Sequence, residues 1–194
     1  MKHLKLMPFL FVVMLLMACK NDKSSKDVET DEEVEVEIEK KNDDIKEMTI
    51  SLSPKSDSTV EGTVSFTQND GTVSMVADMK GLTEGTHAIH IHQKADCSSA
   101  DGKSTGGHWN PTAQPHGKWG NETGYHKGDI GNFDVAADGL GKVEFSTDEW
   151  CIGCGDENKD ILGKAIIVHQ GTDDFTSQPS GAAGARVSCA GIIE

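Results

Sequence analysis

Arginine is nearly absent from this chain. Of 18 basic residues only Arg186 is arginine, and 32 carboxylates leave a formal net charge of −14. Nucleic-acid binding requires a surface of Lys and Arg that neutralises phosphates, so this balance argues against it. Aromatics are scarce at 5%, and Trp109, Trp119 and Tyr125 read as loop packing rather than a stacking platform. No stretch beyond residue 48 carries the apolar period of a helix, which speaks against bundles. The one long apolar run, residues 6–18, is too short to span a bilayer. Histidine is also sparing: of eight, His3 lies in the leading stretch and His87 beside a pair, and six fall in short motifs.

The leading residues combine a basic start, the apolar run and Leu16-Met17-Ala18-Cys19. That is the pattern of a bacterial lipoprotein signal. Residues 1–18 are expected to be a signal peptide, with Cys19 lipidated and anchoring the protein to a membrane. An ordinary secretory signal with a chance cysteine is the alternative. The expected location is the bacterial cell envelope, facing the periplasm or the cell surface. Residues 19–47 are dominated by Lys, Asp, Glu, Ser and Thr. Such a composition buries too little apolar surface to offset its ordering entropy, and predicts an acidic, flexible tether. With Cys19 set aside, four cysteines remain in an exported domain, where disulfides persist. They allow three pairings, of which we favour Cys97 with Cys189 and Cys151 with Cys154. Closing the longer loop is worth about 4–5 kcal/mol in the chain-entropy model.

Residues 48–194 read as one domain of short strands separated by turns. Strands are expected at 48–52, 60–66, 72–79, 87–92, 132–136, 142–146, 165–169 and 185–193, with Asp70-Gly71 a strong hairpin signal. Many short strands with regular turns predict an all-β sandwich or barrel. The segment from 93 to 131 is too long for a mere connector, which points to function.

Thr86-His87-Ala88-Ile89-His90-Ile91-His92 is the most informative strand. Side chains alternate with period two, so Ile89 and Ile91 face a core while His90 and His92 share the opposite face. A rigid strand thereby fixes two strong nitrogen ligands. His87 falls on the isoleucine side and reads as a buried, hydrogen-bonded neighbour rather than a ligand. Downstream follow Gly106-Gly107-His108-Trp109-Asn110-Pro111, His116-Gly117, His126-Lys127-Gly128-Asp129, Val168-His169 and Gly184-Ala185-Arg186-Val187-Ser188-Cys189.

Taken in order, these motifs closely resemble the copper/zinc superoxide dismutases in their bacterial exported form, over nearly all of residues 48–193. The resemblance implies a Greek-key β-sandwich or flattened barrel of about eight antiparallel strands with long metal-binding and active-site loops. It implies His90, His92 and His169 as copper ligands, His108 as an imidazole shared by both metals, and His116, His126 and Asp129 as the rest of the zinc set. Four nitrogens suit tetragonal copper, and three imidazoles with a carboxylate close a tetrahedral zinc site. Asp173 matches an aspartate that links ligands of the two metals, and Arg186 one that guides the superoxide anion. Catalytic roles then fall to Arg186 and His108, and the reaction is dismutation to dioxygen and hydrogen peroxide by alternate reduction and oxidation of copper. No lysine lies between His169 and Arg186, so Lys94, Lys103, Lys118 and Lys127 are candidates for further steering. The Cys151–Cys154 pair lies outside the common family pattern and leaves a local disulfide, a redox or copper-relay role and an extra metal site open. The rival function is a membrane-tethered copper/zinc buffer or copper-delivery protein without turnover. Oligomeric state is open, a homodimer included.

Overall fold

The computed structural model describes residues 45–194. The expected signal peptide, Cys19 and nearly all of the tether lie outside the described residues.

Eight antiparallel strands make up the domain: β1 Lys46–Pro54, β2 Glu61–Asn69, β3 Thr72–Lys80, β4 Gly85–His92, β5 Gly131–Val135, β6 Gly141–Thr147, β7 Ala165–His169 and β8 Arg186–Gly191. Each falls where the sequence placed a strand. The bounds differ by up to three residues: β1 begins two residues earlier because Lys46 and Glu47 pair with Gln68 and Thr67, β2 runs on to Asn69, β4 begins at Gly85 and β8 ends at Gly191. Lys46 and Glu47, expected as the end of the tether, thus belong to β1.

The strand order is β5-β4-β7-β8-β1-β2-β3-β6. Consecutive strands β3 and β4 lie far apart in that order, so the chain crosses between two half-sheets as in a Greek key. Strand β1 joins the halves, pairing with β2 along most of its length and with β8 through Ser53 and Pro54. The end strands β5 and β6 approach one another without pairing, leaving a nearly closed barrel.

Alternation decides what fills the barrel. Val64, Phe66, Val73, Met75, Ile89, Ile91, Ile166 and Val168 point inward into one apolar core. Strand β4 is buried on both faces from His87 onward. Its isoleucines meet the core, while the imidazole face is covered by the loops at 93–130 and 170–185. Trp109 sits in the core, and Trp119 packs on Tyr125, Phe145 and Trp150. The aromatics thus serve packing, as the sequence suggested.

Candidate metal centre

The 93–130 loop first doubles back along β4. Trp109 N–H donates to the Ile91 carbonyl at 2.8 Å, and Gln93 N–H donates to the Gly107 carbonyl at 3.0 Å. This short pairing sets His108 opposite His92. At the far end of the loop, the Asp129 carboxylate accepts from His126 N–H at 2.8 Å and from Gly117 N–H at 3.2 Å. One side chain thereby fixes the backbones that carry His116 and His126. On β7 a register shift at Val168/His169 brings His169 opposite Arg186 of β8. Such bulges re-aim side chains beside functional sites.

Seven side chains converge. His90, His92, His108 and His169 form one group, and His108, His116, His126 and Asp129 a second, with ligand atoms within 4.8 Å of one another in each. All seven are buried. Hydrogen bonds decide which nitrogen each ring turns inward. His90 Nε2 meets Asp173 Oδ2 at 2.9 Å, leaving Nδ1 to the first group. His92 donates from Nδ1 to the Gly106 carbonyl at 3.0 Å, leaving Nε2, which lies 3.4 Å from His169 Nε2. His108 Nδ1 meets Asp129 Oδ1 at 2.8 Å, so its Nε2 faces the first group and its Nδ1 the second. His116 Nδ1 and His126 Nδ1 lie 2.9 and 3.2 Å from the Asp129 oxygens.

His90 Nδ1 and His108 Nε2 are buried with no hydrogen-bond partner, while His116 Nδ1 and His126 Nδ1 are buried against the Asp129 carboxylate alone. Orphaned polar atoms of this kind are rare in folded proteins, and here they belong to the two groups. The donor sets fit the ions: four imidazoles for copper, and three imidazoles plus a carboxylate for zinc. Asp173 spans the halves, its second oxygen meeting His116 Nε2 at 2.9 Å. Asn132 holds its backbone on both sides, at 2.9 and 2.8 Å. Gly181 lets the chain pass here, since a Cβ would overlap the Asp173 carboxylate.

Charge is arranged to match. Burial, neighbouring imidazoles and Arg186 push His92 and His169 well below the ordinary histidine range. Burial lowers His108 to about 4 against the pull of Asp129. His116 goes the other way: burial opposes it, but Asp129 and Asp173 raise it to about 9. Both carboxylates sit well below the usual range, because hydrogen bonds from imidazoles outweigh burial.

A cleft of about 580 Å³ opens onto the copper-side group, lined by His92, His108, His169 and Arg186. Arg186 is half-buried, and its Nη1 donates to the Gly102 carbonyl at 2.8 Å and to Thr105 Oγ1 at 3.0 Å. None of the four candidate lysines lines this cleft. Lys127 is drawn to Glu149, and Lys103 pairs with Asp101 at the surface. His87 is buried between the carbonyls of His169 and Thr83, at 2.9 and 2.8 Å, and belongs to neither group. Disulfides join Cys97 to Cys189 and Cys151 to Cys154. The first ties the metal loop to β8 beside Arg186. Sequence reasoning missed Gln178, which clamps the His116 backbone from both sides at 2.9 Å, as well as Asn132 and Thr105. No local pattern marks these residues.

A β-barrel in which one imidazole stands between two ligand sets defines a two-metal centre with one redox half and one closed half. The sequence matches the family model for copper/zinc superoxide dismutase (SODC) over residues 60–192. A Cu-Zn superoxide dismutase of Caulobacter vibrioides is 39% identical over 137 residues, 69% of this chain and 78% of that protein. A SOD-like protein from Bacillus subtilis superposes with a TM-score of 0.66 at 29% identity, covering 75% of this chain and 97% of the other. The clock protein EA4 gives 0.65 at 30% identity, covering 76% and 94%. The chain belongs to the copper/zinc superoxide dismutase family. It is an enzyme that converts superoxide to dioxygen and hydrogen peroxide, with copper and zinc as its cofactors.

Proposed function

We propose that His90, His92, His108 and His169 hold copper, that His108, His116, His126 and Asp129 hold zinc, and that Arg186 guides superoxide into the cleft above the copper-side group. Bound there, copper supplies the one-electron chemistry in both directions, and zinc supplies positive charge beside the shared imidazole. The protein's own residues do the rest. Two N–H contacts fix the Arg186 guanidinium against Gly102 and Thr105. Its remaining donors are then available to a small anion, and a guanidinium stays charged at any working pH. His108 keeps Nδ1 on the Asp129 side, while Nε2 has no protein partner and can take and return a proton. Asp173 holds the rings of His90 and His116 in register, fixing which nitrogen each presents.

The position of Arg186 carries this reading over that of a copper buffer, since storage needs no fixed cation at the mouth of the cleft. Replacing Arg186 with Ile tests it. Metal content should be unchanged while superoxide removal falls roughly ten- to a hundredfold, the range that local electrostatic focusing supplies. Undiminished activity would remove the role.

We also propose that Cys19 is lipidated and tethers the enzyme to a bacterial envelope membrane, supported by the leader pattern alone. Metabolic labelling with a fatty acid should mark the wild type and leave Cys19→Ser unmarked. Equal labelling of both would contradict it.

A further inference from the structure

The pair Cys151 and Cys154 belongs to neither ligand set. It sits in the 148–164 loop between β6 and β7, with Cys151 buried and Cys154 exposed. The disulfide is not what closes this loop. Cys151 N–H donates to the Lys159 carbonyl at 2.8 Å, and Ile161 N–H donates to the Cys151 carbonyl at 3.0 Å. Asp160 gathers the turn: Oδ1 accepts from the N–H groups of Gly153 and Leu162 at 3.0 and 3.1 Å, and Oδ2 from that of Gly155 at 2.8 Å. Backbone donors thus hold the loop whether or not the sulfurs are joined. A bridge across so few residues also constrains the unfolded chain far less than Cys97–Cys189 does. An exposed sulfur is, in addition, open to attack by a thiolate.

Both sulfurs and an Asp160 oxygen lie within 4.8 Å of one another. The three amide contacts occupy only part of a carboxylate's acceptor capacity, and Oδ2 carries just one of them. Burial opposes ionisation of Asp160, but the same amides hold it below the usual range, so it is anionic. Its side of the loop borders a cavity of about 530 Å³, shared with Trp109, Asn110 and Pro111 of the metal loop. Asp160 is thus reached from this cavity, and Cys154 from the surface. Two thiolates and a carboxylate form a zinc-type donor set, with water for the fourth position.

We propose that Cys151, Cys154 and Asp160 form a redox-gated third metal site for a zinc-class divalent ion, made available when a dithiol reduces the disulfide. The dithiol delivers two electrons and two protons and leaves as a disulfide. The Cys151–Cys154 S–S bond breaks and two S–H bonds form. Ion binding then displaces both thiol protons to solvent.

The test uses metal-replete protein with both main sites filled. Mild dithiol treatment should free Cys151 and Cys154 while sparing Cys97 and Cys189, as read by alkylation and mass spectrometry. Equilibrium dialysis against Zn2+, and a Co2+ titration followed through its thiolate charge-transfer band, should then show one additional equivalent per chain. Oxidised protein should take up none. A double variant, Cys151→Ser with Cys154→Ser, should keep its two main metals, showing that it is folded, and should lose the additional equivalent. Asp160→Asn, which removes a direct ligand, should weaken binding of that ion beyond the roughly 10–100-fold that loss of an outer partner costs. A disulfide that resists the dithiol, a reduced protein that takes up no further ion, or uptake that persists in the double variant would each overturn the proposal.

Discussion

The two halves of the centre are made of different material. On the proposed copper side, three of the four candidate ligands stand on strands: His90 and His92 on β4 and His169 on β7, with no carboxylate among them. On the proposed zinc side every candidate ligand comes from the 93–130 loop, and a single carboxylate draws three imidazoles together. The strand half borrows its geometry from the barrel, so its rings stay fixed while buried. The loop half has no ladder to lean on and takes its order from Asp129. The contrast matches the chemistry each ion performs. An ion that changes charge gains from a rigid cage beside a fixed cation, and a closed site gains from a negative ligand that holds both the ion and the loop.

The hardest way to break that contrast is to remove the carboxylate. Asp129→Asn should lower zinc affinity well beyond the roughly 10–100-fold that loss of an outer partner costs. Copper should be retained, because three strand-borne imidazoles remain. Dialysis against graded chelators with metal analysis reads this, and equal loss of both ions would show the halves are not built separately. Asp173→Asn should act on both halves at once, weakening each ion by roughly 10–100-fold, since that one side chain holds a ring from each set. Loss confined to zinc would show that the link to His90 is idle.

A smaller effect should appear in the metal-free protein as pH changes. His108 drops from an ordinary 6.5 to about 4, and His92 and His169 also sit low. Unfolded imidazoles therefore bind protons that the folded ones refuse. Stability should fall as pH drops from about 6.5 towards 4, by on the order of 1–2 kcal/mol for His108 between pH 7 and 5, with His92 and His169 acting in the same sense. His116 works in the opposite sense: raised to about 9, it stabilises at lower pH and loses that contribution as pH rises through 9. Urea midpoints at pH 5, 7 and 9 check both signs. A midpoint that rises on acidification to pH 5 would place the dominant titration on the zinc side.

Much of this was legible because strands and ligands write themselves locally. Alternation in residues 87–92 gave both the face that meets the core and the face that holds imidazoles. Turn signals such as Asp70-Gly71 marked where strands stop, and the histidine motifs carried the ligand set. What was not legible rests on contacts between segments distant in sequence. Gln178 reaches His116 across 62 positions, and Asn132 reaches Asp173 across 41. No period or composition marks an amide that will clamp another loop. The ion pair of Lys127 was hidden for a related reason. Charge can be counted from sequence, but Glu149 beside Lys127 is a neighbour only in three dimensions. The start of β1 was masked by composition, since Lys46 and Glu47 continue the charged run of the tether and yet complete the pairing with β2.

The account turns on His108 serving two ions at once. A crystal structure of the copper- and zinc-loaded enzyme, with anomalous data at both absorption edges, measures this directly. Copper should be found at His90 Nδ1 and at Nε2 of His92, His108 and His169, in the oxidised form. Zinc should be found at Nδ1 of His108, His116 and His126 and at Asp129. A single ion, two ions of one kind in both positions, or a His108 ring bound to neither would contradict it.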